Sequence, residues 1–309
     1  MSTSIVVGIC TFRRPQQLDR ALRAIAIAIR HSGEKAAIVV VDNDGSDLAL
    51  RSQIGQFAVG AGLEVTYCIE RTPGISSARE TVFRIAAARG ATLLAMIDDD
   101  EWPSEGWLAA LLRQKRSSNA VVVGGPVRPV FPAAAAALRR HSRYWAVEAQ
   151  TVNGRPFIYA AGNFLIDLAA IANEERPLFD QAFGLTGGED VVFFRRVMAR
   201  GHTMSWCDTA VVYEEVPPER ASLAWIRKRR FGVGNSAVRW ERPAGPWRTL
   251  FKTALLTLRL PIYPLLRREP ESPWLGWVLE GEKVRGRFAA HLGDVVLQYA
   301  TSGRSRHGA

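Results

Sequence analysis

Cysteine and histidine are scarce in this chain of 309 residues. Its three cysteines, Cys10, Cys68 and Cys207, are an odd number, lie far apart and form no C-x-x-C pair. A disulfide framework and a structural zinc site are therefore not expected. The five histidines, His31, His141, His202, His291 and His307, show no metal-ligand spacing. The opening MSTSIVVGIC lacks a basic segment followed by a long apolar core, so no secretory signal is expected, and a reducing cytoplasm fits. The apolar stretch from Trp247 to Leu266 contains Lys252, Arg259, Pro261 and Pro264 and reads poorly as a spanning helix. No internal repeat is found, and no nucleic-acid reading motif.

Apolar residues are 48% of the chain, enough for a large core. The net charge is +10, unevenly placed. Residues 1–220 balance to zero, and residues 221–309 carry 16 Lys and Arg against 6 Asp and Glu. This divides the chain into a first domain, 1–220, and a basic C-terminal region, 221–309, whose charge suits an anionic surface.

Strands and helices alternate along the first domain. Ser4–Ile9, Ala36–Val41, Leu63–Ile69 and Ala91–Ile97 are short apolar runs of the kind buried strands show. Between the first two, Leu18, Leu22, Ile25 and Ile29 mark one face of a helix begun by Pro15. Such alternation predicts an α/β fold, a mostly parallel Rossmann-like sheet flanked by helices, and 221–309 reads as a helical extension. Acids follow the strands: Asp42 and Asp44, then Asp98, Asp99, Asp100 and Glu101, then Glu214 and Glu215. Carboxyl ends of strands in open α/β sheets are where ligands bind. Adjacent carboxylates raise one another's pKa unless a cation or donors compensate. The run at 98–101 is thus either a solvated acidic loop or a seat for Mg²⁺ or Mn²⁺, which take hard oxygen ligands. Glu189 and Asp190 open a further helix after Gly184, Gly187 and Gly188. Acids there complement the helix dipole, or one of them is a general base that the helix N-terminus keeps ionised.

The ordered motifs ICTFRRP, VVVDNDGSD, RTPGISSARE, IDDDEWP, AAGNFLI, FGLTGGEDVVFFRR and WIRKRRFGVGNS resemble those of family 2 glycosyltransferases of the GT-A fold. Bacterial members that build exopolysaccharide from nucleotide-sugars, such as succinoglycan-type glucosyltransferases, are the most similar. The resemblance spans about residues 4–236. It implies a hexosyltransferase that inverts the donor's anomeric centre and acts with Mg²⁺ or Mn²⁺. Thr11, Phe12 and Arg13 would hold the nucleoside, Asp42 the uracil with Asp44 beside it, and Arg79 the nucleotide. Asp98 and Asp100 would form the D-x-D motif, Asp100 on the metal and Asp98 on ribose or metal, with Asp99 between them also on the nucleotide-sugar side and Glu101 in the same loop. Asp190 would be the base and Glu189 a contact to the acceptor. Asn163 would border the acceptor side. Many GT-A enzymes supply a late histidine to the metal; here Glu214 and Glu215 stand instead, and either one, or neither, is the third ligand.

Arg227 and Arg230 fall in a segment resembling the family's R-x-x-R-x-x-G, read as a solvated basic face or as a clamp on a pyrophosphate. From Pro246 to Ala300, Leu250, Phe251, Ala254, Leu255 and Leu258 fall on one arc of a helical projection, edged by Arg248, Lys252 and Arg259, with Tyr263, Trp274 and Trp277 as interfacial side chains. This suits an anionic bilayer surface, the alternative being a helix packed on the first domain. The expected partners are therefore a UDP-sugar, a lipid-linked or oligosaccharide acceptor and the inner face of the cell membrane, and no nucleic acid. Two other functions compete. VVVDNDGSD with IDDD has the acidic pairs of a haloacid dehalogenase-type phosphatase, although D-x-D-G does not follow the first strand. A non-catalytic sugar-nucleotide-binding subunit is the other.

Overall fold

A computed structural model describes residues 4–184, 186–242, 245–266 and 273–296. The chain divides into two compact units, Met1–Asp180 with Asp190–Ser222, and Gln181–Glu189 with Leu223–Ala309.

The first unit is built on a seven-stranded sheet. Its leading strands are β1 (Ile5–Thr11), β2 (Ala36–Asp42), β3 (Val65–Ile69) and β4 (Leu93–Asp98). Three helices lie between them: α1 (Pro15–Ser32), α2 (Leu48–Ala61) and α3 (Ile75–Ala88). There follow β5 (Glu101–Pro103), α4 (Trp107–Ser118), β6 (Val122–Gly124) and β7 (Val127–Val130). Ala133–Tyr144 then forms a kinked 3₁₀ segment. After the small ribbon of β8 (Thr151–Val152) and β9 (Arg155–Pro156) come β10 (Asn163–Asp167), α5 (Glu189–Ala199), β11 (Met204–Trp206) and β12 (Val212–Glu215).

The large sheet has the order β11-β6-β10-β4-β1-β2-β3, parallel except for β10, which runs antiparallel to β4 and β6. β1 is buried along its whole length, as a parallel strand covered on both faces must be. One face is covered by Leu18, Leu22 and Ile25 of α1 with Trp107, Leu108 and Leu111 of α4. The other is covered by Val82 and Phe83 of α3 with Phe193, Phe194 and Val197 of α5. Register brings the strand ends level: Thr11 lies opposite Asp42, and Cys10 opposite Asp98. β12 does not join this sheet. It forms a small second one between β5 and β7, with Glu214 opposite Glu101. Glu214 and Glu215 therefore belong to a strand rather than to a loop after one.

The second unit is helical: α6 (Leu223–Glu241), α7 (Pro246–Arg259), α8 (Tyr263–Leu266) and α9 (Pro273–His291). α6 and α9 touch backbone to backbone. A Cβ on Gly234 would lie 1.9 Å from the Lys283 carbonyl oxygen, and one on Gly286 2.0 Å from that of Phe231. Only glycine permits that approach, so Gly234 is a packing residue. Beneath α7, the buried Arg287 donates to Glu241 Oε2 at 2.7 Å, Thr253 Oγ1 at 2.9 Å and the Thr249 carbonyl at 3.3 Å. The inner face of α7 is thus polar, with Thr253 0% exposed, while Trp247 is 80%, Phe251 72% and Leu258 75% exposed. No helix among the described residues is long and apolar enough to cross a membrane. Residues 267–272 and 297–300 of the expected interfacial stretch lie outside the described residues.

Candidate functional site

The carboxyl edge of β1, β2 and β4 gathers most of the expected residues of the first unit. Asp99 turns inward. It is buried and accepts from Thr11 Oγ1 at 2.9 Å and Arg14 Nη1 at 3.0 Å. Burial outweighs these donors and pushes its carboxyl up to about 6. Thr11 and Asp99 form a buried clasp between the first loop and the acidic turn. Glu101 is buried as well and accepts from the Asp98 backbone N–H at 3.1 Å. Burial first, then the Asp98, Glu214 and Asp100 carboxylates, hold its pKa well above the usual range. A Cβ on Gly162 would meet Glu101 Oε1 at 2.4 Å, so glycine there makes room for that side chain.

Asp98 and Asp100 remain partly exposed. Buried Arg79 reaches Asp98 Oδ1 at 3.1 Å, and Arg14 Nη1 reaches Asp100 Oδ2 at 2.7 Å. The two glutamates of β12 separate by the pleat of the strand. Glu215 pairs with Arg20 at 2.6 Å, while Glu214 lies 3.7 Å from Arg220 Nη1, which is also 3.8 Å from Asp100 Oδ2. Of the two possible third ligands, the strand turns Glu214 toward the acidic turn and Glu215 away from it. Among the described residues no group of three or more His, Cys, Asp or Glu is gathered into a metal cage. The donor set still fits Mg²⁺ or Mn²⁺: hard carboxylate oxygens at a partly open edge suit ions that take one or two carboxylates and complete their shell with substrate phosphates and water.

The second loop is pinned by residues that sequence reasoning missed. Asn43 donates to the carbonyls of Glu70 and Thr72, at 2.9 and 2.8 Å, and accepts from Gly74 N at 2.8 Å. Buried Asp42 accepts from Tyr67 Oη at 2.8 Å and from Asp44 N at 2.9 Å. Asp44 pairs at 2.9 Å with Arg13, whose hydrogen bond holds the carboxyl below its usual value, and Phe12 is exposed beneath that guanidinium. Phe12, Arg13 and Asp44 are therefore the outward side chains of this end, and Asp42 is their buried anchor. Arg14 was hidden by its doublet with Arg13; a cation next to Pro15 at a helix start is otherwise unremarked.

Asp190 lies in the first turn of α5, and Glu189, which opens that helix, is buried. The expected dipole effect does not prevail at Asp190. Burial pushes its carboxyl up, Arg79 pulls it down, and Asp98 pushes it up again. Arg79 thus acts electrostatically on both Asp98 and Asp190. Asn163, expected on the acceptor side, turns its side-chain amide into the core. It is 2% exposed, accepts from Trp107 Nε1 at 2.8 Å, and donates to the carbonyls of Pro126 and Ala210 at 3.0 and 2.8 Å. Asn163→Leu strands those partners in the core and should cost about 2–4 kcal/mol of stability. Chemical denaturation checks the loss, with activity per folded molecule retained. On α6, Arg227 is tied by two hydrogen bonds to Glu282 at 2.9 and 2.6 Å, and Arg230 is half-buried.

A mixed α/β sheet with carboxylates, arginines and a helix-borne acid at one edge is the layout of the GT-A glycosyltransferases, and solved structures agree. The chain superposes on a mannosyltransferase from Pyrobaculum calidifontis, solved with GDP-Man and Mn²⁺, with a TM-score of 0.56 at 16% identity over 93% of this chain and 86% of that one. On S. aureus TarS 1–349 in complex with UDP the TM-score is 0.53 at 14% identity, over 97% and 98%. The glycosyltransferase-like family 2 model matches residues 3–234. The succinoglycan biosynthesis protein ExoM of Rhizobium meliloti (strain 1021) is 31% identical over 234 residues, 75% of this chain and 73% of that protein. The chain belongs to the family 2 glycosyltransferases. This sets aside the phosphatase and the non-catalytic subunit.

Proposed function

We propose that the chain transfers a sugar, with inversion, from a nucleotide-sugar to a lipid-linked or oligosaccharide acceptor during exopolysaccharide assembly. The observation that carries this reading is Arg79, which touches Asp98 and also acts on Asp190, setting a base and an acidic donor-binding edge around one guanidinium. Asp190 takes the proton of an acceptor hydroxyl. The oxygen bonds to the anomeric carbon as the bond to the donor diphosphate breaks on the opposite face, which turns an α-linked donor into a β-linked product. Glu189, next in the chain to Asp190, stands on the acceptor side. Phe12, Arg13 and Asp44 face the nucleoside, with Asp42 behind them. Asp100, with Asp98, would hold Mg²⁺ or Mn²⁺, which when bound neutralises charge on the leaving diphosphate. UDP is the favoured nucleotide, because TarS is solved with UDP and the motifs resemble UDP-sugar users. Calorimetric titration with UDP-, GDP- and dTDP-sugars, with and without Mn²⁺, tests the reading. Metal-dependent binding of one donor series is expected, and binding of none overturns it.

Residues 1–220 would hold this chemistry, and residues 221–309 would hold the protein on its acceptor's membrane, at the inner face. The outward apolar side of α7 supports this, as do its edging Arg248 and Arg259 and the exposed Trp274. Arg227 and Arg230 remain candidates for an acceptor pyrophosphate, Arg227 only by leaving Glu282. Replacing both Phe251 and Leu258 by Glu removes two large apolar side chains from the contact, about 3–5 kcal/mol. Co-sedimentation with anionic vesicles should fall about a hundredfold or more; unchanged binding overturns the assignment.

A further inference from the structure

The carboxylates proposed to hold the metal already have cations on them. One nitrogen, Arg14 Nη1, bridges Asp99 Oδ1 at 3.0 Å and Asp100 Oδ2 at 2.7 Å. Arg220 Nη1 stands 3.8 Å from the same Asp100 oxygen. A divalent ion at Asp100 would face the Arg14 guanidinium across a few ångströms of partly dehydrated space, where like charges repel strongly. Arg14 and the ion therefore compete for Asp100. Arg14 also has somewhere to go. Its contact to Asp99 is made inside the clasp that Thr11 closes, so it can surrender Asp100 and stay tethered. The donor's diphosphate arrives with the ion and is a planar-fork target for a guanidinium.

We propose that Arg14 is a positioning residue that occupies Asp100 when no metal is present, opposes binding of a divalent ion to the nucleotide-free protein, and is drawn off Asp100 by the diphosphate. Metal and nucleotide binding thereby become mutually dependent, since a coupling free energy between two ligands is reciprocal. The ordered consequence is that an ion does not settle without a donor. This inference rests on the reading of Asp100 as a metal ligand.

The test is Mn²⁺ binding to the full-length chain, followed by electron paramagnetic resonance, with and without UDP. In the wild type, UDP should tighten Mn²⁺ about tenfold or more. Arg14→Met should bind Mn²⁺ alone about tenfold more tightly than the wild type, and the UDP effect should shrink by about the same factor, the rest being the diphosphate's own ligation of the ion. Mn²⁺ affinity unchanged or weakened in Arg14→Met overturns the inference. So does tighter binding with the UDP effect intact, because that would be a bare charge effect. If Arg14→Met does not fold, Arg14→Lys serves. Its single point charge cannot hold both aspartates as a guanidinium does, so the UDP effect should shrink, and an unchanged effect overturns the inference. Asp100→Asn separates the two readings. Mn²⁺ binding at wild-type strength in that variant removes the metal site itself, whereas its loss leaves only the role of Arg14 in question.

Discussion

Asp190→Asn is expected to keep donor and Mn²⁺ binding and to lose transfer by about 10²–10⁴-fold, the usual contribution of a positioned base. The amide matches the carboxylate in shape and accepts no proton at neutral pH. Single-turnover transfer beside equilibrium donor binding makes the separation; transfer at the wild-type rate removes Asp190 from the base role. A pH profile adds a second readout. The active form is deprotonated, so activity falls as pH falls through the folded-state pKa. Burial raises that pKa above the ordinary aspartate value, against the pull of Arg79. The acid limb of kcat/KM should therefore lie above the ordinary aspartate range, and the limb should vanish in the residual activity of Asp190→Asn. Raising a base toward the working pH also makes it a better proton acceptor.

Asp100→Asn is expected to abolish the metal-dependent part of donor binding, a loss of about a thousandfold. A ligated cation contributes several kcal/mol of charge stabilisation at a diphosphate, and each 1.4 kcal/mol is about tenfold. Metal-free UDP binding should change little, because Phe12, Arg13 and Asp44 are the residues proposed to meet the nucleoside end. Calorimetry of UDP with and without Mn²⁺ reads both numbers. An unaltered Mn²⁺ effect would move the metal from this turn. The variant should also remain folded: Asp100 is partly exposed, and Arg14 keeps its contact to buried Asp99.

Much of the fold was legible because periodicity is a local property. Continuous apolar runs such as IVVGIC announce strands covered on both faces, and Leu18, Leu22, Ile25 and Ile29 announce a helix face. The acids at strand ends and the helix opening at Glu189 were legible for the same reason. What escaped is the direction of individual side chains. Asp98, Asp99 and Asp100 are alike as letters, yet the turn sends Asp99 inward to Thr11 and leaves its neighbours at the edge. Asn163 in an apolar strand reads as a site residue until Trp107, 56 positions away, is found donating to it. Asn43, between two acids, gives no periodic signal at all. Gly234 gives no packing signal as a letter, and only the neighbouring α9 shows why it is needed.

The residues alone determined that this is an α/β protein with acids at the carboxyl edge of its strands and a basic, amphipathic C-terminal region. They did so because burial, capping and charge are written at short range along the chain. The tertiary structure decided which acids face outward, which arginine answers each, and that α7 turns its apolar side to solvent. Those choices depend on partners 19 to 86 residues distant: Arg14 for Asp100, Arg79 for Asp98, and Arg287 beneath α7. Hydrogen-bond satisfaction in a buried space is set by all of its walls together, and no single stretch of sequence contains them all.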